Sequence, residues 1–216
     1  AGGQAVPPTL GGVGPVLVEG RLRGRAVPVP DGGLATHHLI IADAGAGCVA
    51  VAVVAADTPG VSARRVRGFG PRLWLLEFSD VPVDPALLVV LDHAQVPVVR
   101  DALLRALPVV CAFQVGSMQS VLDMSLSYAG ERQQFGRSIG SFQRVQDHVI
   151  DLLNGLDSAR WTTYYALAVD GFDPAAAHVA KAVTAEAHFV GCDSAHEVHA
   201  GIGCDVDYGL VAHTYL

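Results

Sequence analysis

Four side chains near the end of this sequence stand at spacings that could serve chemistry. His188, Cys192, His196 and His199 recur at intervals of four, four and three. On a helix they could share one face, and imidazole with thiolate is a zinc donor set. Histidines on a long helix are more often packing or surface residues. His196-Glu197-Val198-His199 is also one residue too short for H-E-x-x-H, in which two histidines hold zinc and the glutamate acts as base. We therefore assign no metal. The sequence has no G-x-S-x-G, which argues against a serine hydrolase. Taken singly, other residues have plain readings. Arg132 is a solvated charge at a helix end, Phe135 and Phe142 are core, Gln143 is a surface helix residue, and Gly201 and Gly203 stop a helix. Asp101 and Glu131 are carboxylates near helices, and nothing marks either as an acid or a base.

The elements that must position these residues follow from the hydrophobic pattern. The chain has 216 residues, of which 51% are hydrophobic and 16% charged, enough to bury a substantial core. A net charge of -7, with Lys181 the only lysine, argues against a nucleic-acid surface. No apolar run is long enough for a membrane helix. The opening segment lacks the pattern of a signal peptide and begins abruptly in Gly and Pro, as if the natural start lay upstream. Cys48, Cys111, Cys192 and Cys204 are scattered and read as reduced thiols of a cytoplasmic protein.

Short apolar runs at Val16–Val18, Gly20–Gly24, Ala26-Val27, Leu39–Ala42, Cys48–Val54 and Leu73–Phe78 are separated by Asp31-Gly32-Gly33, Gly45-Ala46-Gly47 and Asp57–Gly60. This spacing predicts an antiparallel β-sandwich or barrel, with Leu73–Phe78 its last strand, closed by Asp80–Pro85. The period then changes. Val110, Ala112, Val115, Met118, Val121, Leu122 and Leu126 recur at helical spacing between Pro97 and Tyr128, with Pro108 as a kink or the true start. After a loop at Gly130–Gly140, Ser141 is a candidate N-cap for a helix to Ala168. Asp173-Pro174 predicts a third helix, running to His199 and stopping near Gly201. The fold class is α+β: a β-domain over 1–90, then an antiparallel helical bundle over 91–216.

The segment Glu131-Arg132-Gln133-Gln134-Phe135-Gly136-Arg137-Ser138-Ile139-Gly140-Ser141-Phe142-Gln143-Arg144-Val145-Gln146 closely resembles the E-R-x-Q-F-G-x-x-I-x-x-F-Q-x-V-Q stretch of acyl-CoA dehydrogenases. Two shorter matches keep the family's order: Asp57–Val61, similar to a turn late in the β-domain, and Val198–Gly203, similar to the G-G-x-G turn after a long helix. The resemblance implies that Arg132, Gln134, Phe135 and Gln143 touch the FAD of a neighbouring subunit, and that Glu197 and Gly201 stand in the turn against its ADP portion. The residue types suit that task. An arginine fork pairs with pyrophosphate oxygens, an aromatic ring packs on a flat cofactor, and an amide donates and accepts.

The departures are as specific as the matches. The T-E-P-x-x-G-S-D-like opening of the β-domain has no counterpart in Ala1–Gly14, and the family's N-terminal helical domain has none at all. Glu197 replaces the glutamine before the glycine turn, and Ala200 replaces its first glycine. The base that removes the substrate's α-proton is a glutamate in this family. One of its positions lies beyond Leu216. The other, aligned through Gly116, Met118, Gln119, Val121, Leu122 and Asp123, is Ala106, so the catalytic residue stays unassigned. Some actinobacterial members, including those that shorten steroid side chains, are α2β2 heterotetramers in which one subunit type carries the base. Asp205-Val206-Asp207-Tyr208 is similar to a D-x-x-Y stretch of that group. The resemblance thus implies an FAD-dependent oxidoreductase subunit acting on an acyl-CoA, with a second subunit or a further copy of itself in a tetramer and electron-transfer flavoprotein as partners. The alternative is a structural partner subunit that binds no flavin.

Overall fold

The computed structural model describes residues 14–26, 28–67 and 72–215. The comparison of Ala1–Gly14 with the T-E-P-like segment therefore lies outside the described residues except at Gly14, as does Val27. The chain divides into two compact units, Ala1–Arg100 and Asp101–Leu216.

The first unit is a sheet of eight strands: β1 Val16–Val18, β2 Arg21–Arg25, β3 Val29–Pro30, β4 His37–Gly45, β5 Cys48–Ala55, β6 Val61–Arg65, β7 Leu73–Pro82 and β8 Leu88–Leu91. Alternation drives it. Along β4 every second side chain from His38 to Ala42 is buried, while His37, Leu39, Ile41 and Asp43 face outward. Ile40 and Ala42 join Leu22, Ala50, Ala52, Val54, Leu76, Phe78, Val81 and Val83 in one core. The β4–β5 pair is antiparallel from His37 opposite Ala55 to Gly45 opposite Cys48, as the Gly45-Ala46-Gly47 turn suggests.

Three details depart from the sequence expectation. β7 is not the last strand: it runs on to Pro82. Asp84 then caps a short turn by accepting from the Ala86 N–H at 2.9 Å, and β8 returns to pair with β5. β6, Val-Ser-Ala-Arg-Arg, carries too few apolar residues to show as a strand, because it pairs along one edge of β7 while β2 and β3 take the other. The sheet is also mixed, since β1 meets β4 in parallel, with Val16 opposite Asp43.

The second unit is helical. α1 spans Val96–Glu131 with Pro108 buried inside it, so Pro108 does not mark the helix start. A two-stranded hairpin follows, β9 Gln133–Gln134 and β10 Arg137–Ser138. α2 is Gln143–Ala168, α3 is Pro174–His199, and a short α4 is Leu210–Thr214. Asp173 caps α3 as expected, accepting from the Ala175 N–H at 2.8 Å with Pro174 at the first helical position. Ser141 does not cap α2. Its hydroxyl donates to the Ser138 carbonyl at 2.7 Å within a 3-10 turn at Ile139–Ser141, and Phe142 occupies the cap position without a side-chain bond. Val115, Met118, Val121, Leu122, Leu152, Leu156, Ala159, Ala195 and Leu210 form the core. α2 and α3 pack so closely that a Cβ on Gly191 would stand 2.7 Å from Leu152 Cδ1.

Candidate functional site

The hairpin after α1 is built to display its tip. Phe135 (φ +53) and Gly136 (φ +77) form the tight turn between β9 and β10, where two consecutive positive φ values match the twist of a short hairpin. Its base is tied to the helix end. The Arg132 N–H donates to Tyr128 O and the Ile139 N–H to Arg132 O, both at 2.9 Å, and the Ser138 hydroxyl donates to Ala129 O at 2.8 Å. Gly140 is required for that closeness, since a Cβ there would meet Ala129 O at 3.0 Å. Gln146 Nε2 secures the far side by donating to Gly140 O at 2.9 Å.

On this base Arg132, Gln134 and Gln143 are all exposed, and Phe135 is 91% exposed. Phe135 is thus not the core residue that its type alone suggested. It meets Phe142 edge-on at 6.1 Å between ring centroids, and the Arg137 guanidinium lies 4.1 Å over the Phe142 ring. The Arg132 guanidinium, by contrast, has no side-chain partner among the described residues. A charged fork, an amide and an aromatic face therefore stand together, free to meet a ligand or another chain.

Glu197 and Gly201 stand elsewhere along the chain, at the end of α3, and both are exposed. The helix ends at Ala200, whose φ of 52° and ψ of -136° belong to a region that suits glycine. Residues Ala200–Cys204 then turn back over α3: a Cβ on Gly203 would meet His199 Cβ at 3.0 Å and His196 Nδ1 at 3.1 Å. A ring cluster links this turn to the end of α1. Tyr128, one turn before Arg132, stacks on His199 at 4.8 Å and 20°, and Tyr208 packs against both. The six predicted residues thus fall into two groups, 132–143 and 197–201, on segments joined through Tyr128 and His199.

His199 is 1% exposed and has its Nδ1 2.8 Å from the Ala195 carbonyl. Its buried Nε2 closes no hydrogen bond, while the Met124 carbonyl also acts on the ring. Burial pushes its proton affinity below the ordinary histidine value, partly offset by those carbonyls. Burial, with Tyr128 and Glu131 nearby, raises that of the Tyr208 phenol. Sequence reasoning picked out Tyr208 but missed Tyr128. The only signal was an aromatic on the last turn of a helix, which reads equally well as core. Among the described residues no three of His, Cys, Asp and Glu are arranged to hold a metal ion, and no helix is long and apolar enough to cross a membrane. Ala106 is exposed on α1.

Residues 96–216 match the family model for the acyl-CoA dehydrogenase C-terminal domain, and the chain belongs to the acyl-CoA dehydrogenase family. It is 35% identical to acyl-CoA dehydrogenase FadE27 of Mycobacterium tuberculosis over 94% of this chain and 57% of that one. Among solved structures, it is similar to the ChsE4–ChsE5 complex of Mycobacterium tuberculosis, with 31% identity, a TM-score of 0.74, and 94% of this chain on 58% of that chain. A variant of the Tcur3481–Tcur3483 steroid ACAD is 30% identical with a TM-score of 0.74, matching 93% of this chain and 55% of its own. The chain therefore spans just over half the length of these relatives. The fold is the family's: a mixed-sheet domain followed by the helical C-terminal domain.

Proposed function

We propose that this chain is a subunit of a flavin-dependent acyl-CoA dehydrogenase that completes an FAD site across a subunit interface and does not supply the base. The observation that carries this reading is the segment 132–143, from the end of α1 through the hairpin to the start of α2, in which Arg132, Gln134, Phe135 and Gln143 are all exposed and the Arg132 guanidinium is unpartnered among the described residues. Such a guanidinium, three residues before an aromatic ring that is 91% exposed, suits a diphosphate and a flat cofactor better than it suits this chain alone. Gly201 and its turn would lie against the same ADP portion, with backbone close to the phosphates. When bound, FAD supplies the hydride acceptor for α,β-dehydrogenation of an acyl-CoA thioester. The contribution of this chain would be to bind and orient the cofactor. Ala106, at one position where the family keeps a glutamate, has no group that can take a proton.

The substrate class follows from the relatives: an acyl-CoA, with a steroid side chain among the candidates. The assembly would be a tetramer with a second subunit type or with further copies of this chain, passing electrons to an electron-transfer flavoprotein in the cytoplasm. Glu197 and Ala200 favour the other reading, a partner that holds no flavin. A carboxylate open to solvent repels pyrophosphate, and the Ala200 Cβ stiffens a turn that glycine would leave free. The absorbance spectrum of the chain purified with and without its partner subunit tests the choice. Flavin bands only in the assembled state, reduced flavin content in Arg132→Ala, and no turnover by the chain alone are expected. Flavin reduction by an acyl-CoA on the isolated chain would overturn the division of labour. An assembled complex whose flavin content ignores Arg132→Ala would favour the structural partner.

A further inference from the structure

The helix face that resembled a zinc site has another occupant. Cys192, His196 and His199 meet the segment 200–215, and His188 feels it through His213. His199 lies against Tyr208 at 5.4 Å, and His196 sits beneath Gly203 while its Nε2 is 2.7 Å from the Thr214 hydroxyl. Cys192 Sγ is 3.9 Å from the His213 carbonyl and from His188 Nε2, and His213 acts on His188 electrostatically. From α1, the Ser117 hydroxyl reaches His213 Nδ1 at 2.8 Å, and Leu210 anchors the segment in the core. The stripe is therefore the bed on which the glycine turn and α4 lie.

We propose that this face of α3 is a proton-sensitive latch, which holds residues 200–215 while its imidazoles are neutral and releases them when the imidazoles take protons. The surroundings make charge there costly. His188 and His199 are 5% and 1% exposed. The groups acting on His188 are His213 from α4, and Lys181 and Cys192 from its own helix. Those around His199 are Tyr128 and the Met124 carbonyl from α1, Tyr208 from the loop, and His196 with the Ala195 carbonyl from α3. Glu131 acts on Tyr208. Where α2 meets α3, at Leu152, Gly155 and Thr163, it brings no charge. Among the described residues no carboxylate contacts either buried ring, so a proton on His188 or His199 gains no counter-ion. Burial lowers the proton affinity of both. The docked state therefore binds fewer protons than the released one. Below the ordinary histidine pKa of about 6.5 each buried imidazole shifts the balance toward release by up to about tenfold per pH unit.

The functional consequence rests on the reading that the 200–203 turn meets FAD; the latch itself does not. The test is amide hydrogen exchange of the full chain with its partner subunit, corrected for the intrinsic pH dependence, at about pH 7.5 and about pH 5.5. Protection over 200–215 should fall about tenfold or more at the lower pH while the middle of α2 keeps its own. His199→Phe, which keeps the ring stack but cannot titrate, should weaken that dependence, and so should His188→Gln. Uniform loss across the unit, or none, overturns the latch. So does a dependence that survives in whichever variants fold, and the wild-type profile decides if neither does. Flavin retention followed over the same range separates the two ideas. Release of the segment with flavin retained leaves the latch standing and removes the turn from the flavin site.

Discussion

The arginines of β2 and the arginine at the end of α1 are used in opposite ways. On the sheet, Arg21 and Arg23 both bind Asp80, at 3.0 and 2.7 Å, Arg25 pairs with Glu77 and Arg72 with Asp31. The bond from Arg23 foremost holds the Asp80 carboxyl below its usual range. These pairs are exposed, and their task is finished inside the chain. On the helical unit, Arg137 lies over Phe142 and Arg160 binds Asp157 and Gln119, while the Arg132 guanidinium meets no partner among the described residues. A satisfied surface charge is structural decoration. Arg64 and Arg65 on β6 are also exposed without a side-chain partner among the described residues, so it is the fixed hairpin base and the exposed Phe135 on the same segment, together with the unsatisfied charge, that mark out the candidate site.

The largest effect expected belongs to neither set. Leu156 is 0% exposed in the helical core, and Leu156→Ala should lose about 2–5 kcal/mol of stability, read by chemical denaturation of the intact protein. That loss is the yardstick for both arginine variants. Arg132→Ala should leave stability nearly unchanged, because no described residue binds its guanidinium, yet weaken flavin binding by about 1.5–3 kcal/mol. Arg23→Ala, which strips a paired arginine, should leave flavin content alone. Equal flavin loss in both variants would erase the contrast between the two regions.

The pH dependence of stability comes next. His188 and His199 have proton affinities lowered by burial in the folded state, so the unfolded chain binds more protons. Stability is then complete above the unfolded histidine pKa of about 6.5 and is lost as pH falls below it toward the folded values. The loss is at most about 1.4 kcal/mol per pH unit for each ring. Denaturant midpoints across that range check the slope, and His188→Gln should reduce it. A flat profile would mean that the rings are charged, or exposed, in the folded state.

The legibility of this molecule in its sequence tracks how local each feature is. The Asp173-Pro174 start of α3 and the Gly45-Ala46-Gly47 hairpin were readable because the residues that make them are adjacent. β6 was not, because its stability comes from pairing with β7 and little from its own apolar content. Ser141 looked like a cap because cap chemistry is local, but Ser138, three residues earlier, took its hydroxyl. Pro108 suggested a boundary, yet α1 runs through it with Pro108 itself buried in the packing. The segment 131–146 stood out by resemblance, whereas its exposure depended on which residues found partners. The stripe from His188 to His199 was legible as a face and not in its purpose, since Ser117, Tyr128, Tyr208 and His213 arrive from other parts of the chain.

The smallest effect expected tests the turn that the latch holds. Ala200 has φ +52° and ψ -136°, where an L side chain is strained and glycine is not. Ala200→Gly removes that strain, at the cost of a more flexible unfolded chain. At a position incompatible with a Cβ the first term is the larger, so the variant should gain about 1 kcal/mol in denaturant unfolding. Because Ala200 is exposed, no cavity or lost packing complicates the measurement. The same change restores the glycine that the family's turn carries. If the turn meets the flavin, Ala200→Gly should raise flavin retention in the assembled complex together with stability. Greater stability with unchanged flavin would place the benefit in the helix end alone. A loss of stability would mean that Ala200 does not occupy that backbone conformation.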